Sequence, residues 1–216
     1  MSNAKYIIFD FDGTLADTID LAFNIFNRIA HEYNLKQIRE EDKLALSTQK
    51  PKDLLKKYEV SKVKLVLLLL RIRKEMANHL SDLKLVNGIK ESLQAIKQSG
   101  FRLGILTSNS KNNVSIFLEN NNLTGLIEFI YSGKSIFGKD KVMKSLFEQE
   151  KLSKGDIIYV GDEIRDIEAS KKVGIPVISV TWGLNNSEIL SSFHPDQLAH
   201  SPKELLGCIQ KINEGF

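Results

Sequence analysis

The chain has 216 residues, 42% hydrophobic and 26% charged, which suits a globular protein with one α/β domain and a small insertion. The net charge of +3 is too small to indicate a nucleic acid partner. The longest apolar run, Leu65 to Leu70, is far shorter than the roughly 20 apolar residues that a membrane span needs. Cys208 is the single cysteine and has no partner for an internal disulfide, so we expect a reducing compartment, the cytoplasm.

The first predicted element is a strand over residues 5–10, whose near-continuous apolar run is typical of a strand covered on both faces. Asp10 ends this run, and Asp12 and Gly13 follow it, at the edge where open α/β sheets bind ligands. Alternate residues of an extended chain point the same way, so Asp10 and Asp12 are predicted to approach one site. Two close carboxylates need a cation or a proton between them, and Gly13 lets the backbone approach an anion.

Residues 17–82 contain few strand signals and are predicted to form helices. A second helical pattern covers residues 51–58, and Ser61 is predicted to cap a third helix that reaches about His79. The run Leu65 to Leu70 in this third helix is expected to form the core of the segment. The first helix is indicated by apolar residues at helical spacing: Leu21, Ile25, Ile29 and Tyr33. The apolar positions of the third helix are Val63, Val66, Leu67 and Leu70.

From Asn87 onward, predicted helices alternate with predicted strands. The helices cover residues 88–98, 113–120, 139–150 and 166–172, and the strands cover 101–107, 126–131, 156–160 and 176–180. This alternation predicts a Rossmann-like α/β core, with a parallel sheet and helices on both faces. A small all-helical domain interrupts the core after its first strand. We place the core at residues 1–16 and 83–216 and the insertion at residues 17–82.

Three further segments place polar residues at strand ends or helix starts. Ser108 and Asn109 follow the strand that begins at Phe101, where a hydroxyl and backbone N–H groups can hold a phosphoryl oxygen. Lys139 opens a helix, and its ammonium group suits a phosphate. Asp162 lies at another strand tip, and its hard oxygen atoms suit Mg²⁺. Each segment alone is a weak signal, and their common placement at one sheet edge is the strong one.

These motifs resemble those of the haloacid dehalogenase superfamily, whose members are mostly phosphatases. The resemblance implies that Asp10 is the nucleophile and Asp12 the general acid/base. It further implies a Mg²⁺ ion held by Asp10, the backbone carbonyl of Asp12 and Asp162, with Asp166 supporting the metal or Lys139. The resemblance covers the core, about residues 5–15 and 87–200.

Two motifs leave a choice of residue. The second family motif is a Ser or Thr that ends the second strand, which points to Ser108, with Thr107 as the competing assignment because the strand end is uncertain by one residue. The third is a lysine, best matched by Lys139 because it opens the helix, with Lys134 and Lys141 as weaker candidates.

The segments 180–183 and 195–196 resemble the phosphoglycolate phosphatase-like branch, in which residues 17–82 would be a helical type 1 cap. Within it, the polar loop of residues 47–52 is expected to face the substrate. Asp12 favours phosphate chemistry over dehalogenation, because an alkoxide leaving group needs a proton and a halide does not. The implied function is Mg²⁺-dependent hydrolysis of a small phosphorylated metabolite. The alternatives are a sugar phosphomutase, a phosphonate hydrolase and a non-catalytic binding protein.

Overall fold

A computed structural model describes residues 5–48, 60–80, 82–133 and 138–215. Its strands are β1 (Tyr6–Phe9), β2 (Ala16–Asp17), β3 (Lys84–Leu85), β4 (Arg102–Thr107), β5 (Ile127–Ser132), β6 (Ile157–Gly161), β7 (Val177–Val180) and β8 (Gln197–Ala199). Six of them form one sheet in the order β5-β4-β1-β6-β7-β8, in which every pairing is parallel. Strand β1 therefore lies in the middle, between β4 and β6.

Helices follow the strands and also fill the segment after β2. They are α1 (Ile19–Ile29), α2 (Glu40–Ser47), α3 (Lys62–Met76), α4 (Ile89–Gln98), α5 (Lys111–Asn120), α6 (Lys139–Glu150), α7 (Ile164–Val173), α8 (Ser187–Ser192) and α9 (Leu205–Glu214). Across the described ranges, no helix is both long and apolar enough to cross a membrane.

The central strand β1 buries side chains on both faces of the sheet, as its continuous apolar run predicts. Ile7 and Phe9 belong to one apolar cluster, whose helical members include residues of α4, α5 and α9. Ile8 belongs to a second cluster, which includes residues of α6 and α7. Helices therefore cover both faces of the sheet, and the predicted fold class is confirmed.

The predicted strands and helices of the core are confirmed to within two residues at most ends. The short elements α8 and β8 are absent from the sequence prediction, since three to six residues carry too little periodicity to be recognised. The helix predicted over residues 51–58 lies outside the described residues.

The chain leaves the core and returns to it side by side. Ala16 pairs with Leu85 and Asp17 pairs with Lys84 in an antiparallel ribbon of β2 and β3. We refer to the described residues 19–48 and 60–79 between these strands as the helical insertion. The division of the chain at 16/17 and 82/83 into two domains stays a prediction.

The helical insertion has its own small core, formed between α1 and α3. The buried members are Ile25, Ile29, Leu68, Ile72 and Met76. The expectation that the whole run Leu65 to Leu70 is buried is wrong, because Leu67 is 54% exposed and Leu70 50% exposed, as is Val63 at 71%. An uninterrupted apolar run has no helical periodicity, so it does not reveal which face of the helix packs.

Two adjacent leucines on α3 test this packing. We expect Leu68→Ala to lower the free energy of unfolding by about 2–4 kcal/mol, since it removes a side chain that is 4% exposed and opens a cavity. The matched control Leu67→Ala removes the same atoms from an exposed position and should cost less than about 0.5 kcal/mol. Urea denaturation followed by circular dichroism measures both, and equal costs would contradict the assigned face.

Candidate active site

The parallel sheet brings three predicted motifs to one edge. Phe9 pairs with Ile105 on β4 and with Val160 on β6, so the residues after β1, β4 and β6 emerge side by side. A cavity of about 270 Å³ opens there, and its lining includes Asp10, Asp12 and Lys139. Helices α1 and α3 close its other side. The cavity thus lies beyond the carboxyl ends of β1 and of its neighbours β4 and β6. Open α/β sheets bind ligands at this edge.

Lys139 joins two carboxylates at the base of the cavity. As the first residue of α6, it donates hydrogen bonds to Asp10 Oδ2 and to Asp166 Oδ1. The other oxygen of Asp166 accepts the backbone N–H of Glu163 at 2.9 Å, in a capping box at the start of α7. The other oxygen of Asp10 accepts the N–H of Phe11 at 2.7 Å. Both carboxylates are thereby fixed in orientation.

The charge of Lys139 is maintained by its surroundings. Burial alone would lower the pKa of its ammonium group, but Asp10 and Asp166 outweigh burial and raise the pKa well above its usual value. The ammonium group also lies 5.1 Å from the centre of the Tyr159 ring. Of the competing lysines, Lys141 is exposed and does not line the cavity, and Lys134 lies outside the described residues.

Asp12 lies in the same cavity with one oxygen unpaired. Its Oδ1 atom is buried and has no hydrogen-bond partner among the described residues. Burial, followed by repulsion from Asp10, raises the pKa of Asp12 from 3.8 to about 6. Asp12 therefore holds a proton more readily than an exposed aspartate, and its Oδ1 atom is available for a ligand.

Asp162 is enclosed by backbone and held at both oxygens. Oδ1 accepts the hydroxyl of Thr14 at 2.9 Å, and Oδ2 accepts the N–H of Leu184 at 2.8 Å. A β-carbon at Gly13 would lie 2.4 Å from Oδ2 of Asp162, and one at Gly183 would lie 2.2 Å from the β-carbon of Asp162. We predicted that the backbone at Gly13 lies close to an anion. In the structure it lies against the carboxylate of Asp162.

The acidic cluster fits a divalent cation. One carboxylate oxygen each of Asp10, Asp162 and Asp166 lies within 4.8 Å of the other two, and all three residues are buried. Burial and neighbouring carboxylates raise the pKa of Asp162 well above its usual value and that of Asp166 to about 6. Among the described residues, five acidic side chains at this edge face three cationic ones: Asp10, Asp12, Asp162, Glu163 and Asp166 against Lys139, Arg73 and Arg165. A bound Mg²⁺ ion would relieve this repulsion.

The structure distinguishes the three polar residues at the end of β4, which are Thr107, Ser108 and Asn109. The strand ends at Thr107, one residue before the position that the Ser108 assignment requires. Both hydroxyl residues line the cavity. Thr107 accepts the N–H of Asn109 at 2.9 Å, which leaves its hydroxyl proton free to donate. The Asn109 side chain does not line the cavity and instead accepts the N–H of Ser110 at 2.8 Å.

Sequence reasoning missed several polar residues at the cavity. Arg73 of α3 lines it and donates to Ser108 Oγ at 2.6 Å. Glu163 and Arg165 also line it and form an ion pair with each other. These two adjoin Asp162 in the sequence, whereas Arg73 is one of several charged residues at the end of α3, and nothing in the sequence distinguishes it from Arg71 and Lys74.

The predicted substrate-facing loop, residues 47–52, is only partly described. Its first residue, Ser47, ends α2, and its carbonyl accepts the side-chain amide of Asn185 at 3.0 Å. Asn185 also accepts the N–H of Ile164, at the start of α7, at 2.9 Å. Asn185 thus connects the helical insertion to the segment that carries Asp162. Residues 49–52 lie outside the described residues.

Comparisons with known proteins agree with this arrangement. A family model for haloacid dehalogenase-like hydrolases matches residues 7–180. A phosphoglycolate phosphatase of Synechococcus elongatus is 32% identical over 206 residues, which cover 95% of this chain and 97% of that protein. Pyrophosphatase PpaX of Anoxybacillus flavithermus is 27% identical over 216 residues, covering 96% and 97%.

The fold is also shared with a solved structure. The crystal structure of a predicted phosphatase from Clostridium acetobutylicum superimposes with a TM-score of 0.81 at 22% identity, covering 99% of this chain and 100% of that one. At this identity the likeness concerns the fold. The family match, in contrast, spans the strand ends that form the cavity, and the chain belongs to the haloacid dehalogenase-like hydrolase family.

Proposed function

We propose that the protein is a Mg²⁺-dependent phosphomonoester hydrolase of a small phosphorylated metabolite, with Asp10 as nucleophile and Asp12 as general acid/base. The observation that carries this proposal is the pair of carboxylates in one cavity, one bound to Lys139 and the other with an unpaired, buried oxygen. Relatives named for phosphoglycolate and for pyrophosphate hydrolysis support a phosphorylated substrate.

In the first step, a carboxylate oxygen of Asp10 attacks phosphorus, the bond to the leaving oxygen breaks, and an aspartyl phosphate forms. The N–H of Phe11 and the ammonium group of Lys139 orient the Asp10 carboxylate for this attack. Asp12 gives its proton to the leaving oxygen, a role that suits a carboxyl group with a pKa of about 6.

In the second step, Asp12 takes a proton from water, which attacks the aspartyl phosphate and releases inorganic phosphate. Asp12 is then protonated again and Asp10 is free, so the cycle closes without a further reactant.

The charge on the transferring phosphoryl group needs stabilisation throughout. In this proposal Lys139 and the hydroxyl of Thr107 supply it, and Asp166 positions Lys139 by accepting a hydrogen bond from its ammonium group. Asp10, Asp162 and the backbone carbonyl of Asp12 would hold Mg²⁺, which supplies Lewis-acid stabilisation of phosphoryl charge when bound.

The helical insertion acts as a cap in this proposal. Helices α1 and α3 cover the cavity with apolar side chains that include Phe23, Leu69 and Ile72. A volume of about 270 Å³ suits a metabolite of a few carbon atoms better than a nucleotide.

The nucleophile is tested by Asp10→Asn. We expect phosphate release from a panel of phosphorylated metabolites to need Mg²⁺, to stop in EDTA, and to fall about 10³-fold or more in the variant. The control Asp17→Asn changes an exposed carboxylate on β2 and should keep wild-type activity. A folded wild type that releases no phosphate from any compound would refute the hydrolase and direct attention to phosphoryl transfer between sugars.

A second prediction decides between the hydroxyl of Thr107, which ends β4, and that of Ser108, which follows it. Because Thr107 ends the strand with a free hydroxyl proton, we expect Thr107→Val to lower kcat/KM by about 100-fold. Ser108→Ala should lower it by less than about tenfold, since its hydroxyl serves Arg73. Steady-state kinetics on both variants measure the losses, and the reverse ranking would assign the phosphoryl contact to Ser108.

The pKa of Asp12 predicts how stability depends on pH in metal-free protein. The folded-state pKa of about 6 exceeds the ordinary 3.8, so ionising Asp12 costs folding free energy as pH rises through this window. Asp12→Asn stays neutral and should therefore gain stability over wild type, from about 0.5 kcal/mol at pH 4 to on the order of 3 kcal/mol above pH 7. Urea unfolding in EDTA at pH 4 and pH 8 measures this gain. A difference that does not change with pH would contradict the assigned shift.

A further inference from the structure

Arg73 is the one charged side chain that the described part of the helical insertion brings to the cavity. Its neighbours on the same wall are apolar and include Ile19, Leu69 and Met76. The guanidinium group donates to Ser108 Oγ at 2.6 Å, so it reaches across the cavity to the core.

Within the described part of the chain, Arg73 forms no ion pair with a carboxylate. Among the residues that the structure describes, no aspartate or glutamate lies within 4.0 Å of its guanidinium group, and its hydrogen-bond partner is a neutral hydroxyl. The other arginines each form an ion pair: Arg28, Arg39, Arg71, Arg102 and Arg165. A half-buried guanidinium group has lost part of its hydration, and a neutral hydroxyl uses one of its five donors. An anion is the ligand that would satisfy the rest.

Arg73 extends from α3, on the wall of the cavity opposite the strand ends that carry Asp10 and Asp12. In the proposed mechanism the phosphoryl group is bound at those strand ends, so the departing part of the substrate faces the helical insertion and Arg73. The phosphoryl group has its own cation in Lys139, and Arg165 is already neutralised by Glu163.

We propose that Arg73 determines specificity by binding a second anionic group of the substrate, a carboxylate or a phosphate, on the leaving-group side. This inference rests on the proposed function. The site then prefers small phosphorylated acids or a diphosphate over phosphate esters of neutral alcohols, because only the former neutralise Arg73.

The test uses ligands that need no turnover. In 3-phosphonopropionate a CH₂ group replaces the bridging oxygen of phosphoglycolate, and propylphosphonate has the same chain without the carboxylate. We expect wild-type protein with Mg²⁺ to bind 3-phosphonopropionate about tenfold or more tightly than propylphosphonate in calorimetry. Methylenediphosphonate, compared with the same reference, shows whether a phosphate is preferred to a carboxylate as the second anion.

Variants of α3 assign this preference to Arg73. In Arg73→Met the tenfold ratio should fall to about one, and Arg73→Lys should keep part of it because the charge remains. The control Lys74→Met removes the next, exposed cation of the helix and should keep the wild-type ratio. Circular dichroism checks that each variant is folded.

Two results would overturn the inference. One is an Arg73→Met variant that keeps the wild-type ratio. The other is a variant that weakens all three phosphonates equally, which would mean that Arg73 contacts the phosphoryl group itself. Hydrolysis of phosphoglycolate and 2-hydroxyethyl phosphate is measured in parallel. A wild type that shows the binding preference but hydrolyses nothing would refute the proposed function and leave the role of Arg73 standing.

Discussion

The contact on which the site depends is the ammonium group of Lys139, shared between Asp10 and Asp166. Three parallel strands end side by side at this edge, so the fold itself concentrates negative charge there. Without a cation, buried carboxylates this close would take up protons or move apart. Lys139 holds two of them in place, but among the described residues no cation pairs with Asp162, which makes a divalent cation a good fit.

Close backbone packing keeps Asp162 at this position. Gly13 and Gly183 leave no room for a β-carbon beside it, and Thr14 and Leu184 each donate a hydrogen bond to it. A carboxylate with both oxygens held has little freedom to turn away from its neighbours. The segment 181–185 therefore contributes to the acidic site from beyond the motifs that carry the charges.

The sequence predicted the position of a site residue best where a buried strand is followed directly by a single charged residue. Asp10 and Asp162 follow buried apolar runs, so their strand-end positions and the parallel core were predictable. The hydroxyl that ends β4 was not predictable, because a one-residue change in the strand end exchanges Thr107 for Ser108. The packing face of α3 was also hidden, since Leu67 and Leu68 look alike in an unbroken apolar run. Contacts that join distant segments, such as Arg73 with Ser108, leave no local pattern at all.

The core residues of the site were more predictable than those of the helical insertion because the two parts are built differently. The core acts through charges at strand ends, and sheet geometry fixes those positions whatever the surrounding side chains are. The helical insertion acts through side chains that project from α1 and α3 into the cavity, and their direction depends on how the two helices pack. A one-residue rotation of α3 would carry Arg73 away from Ser108 without changing a single motif of the core. If the proposed function holds, the chemistry is encoded locally, whereas substrate choice is encoded in the packing of Ile25 and Ile29 against Leu68 and Ile72.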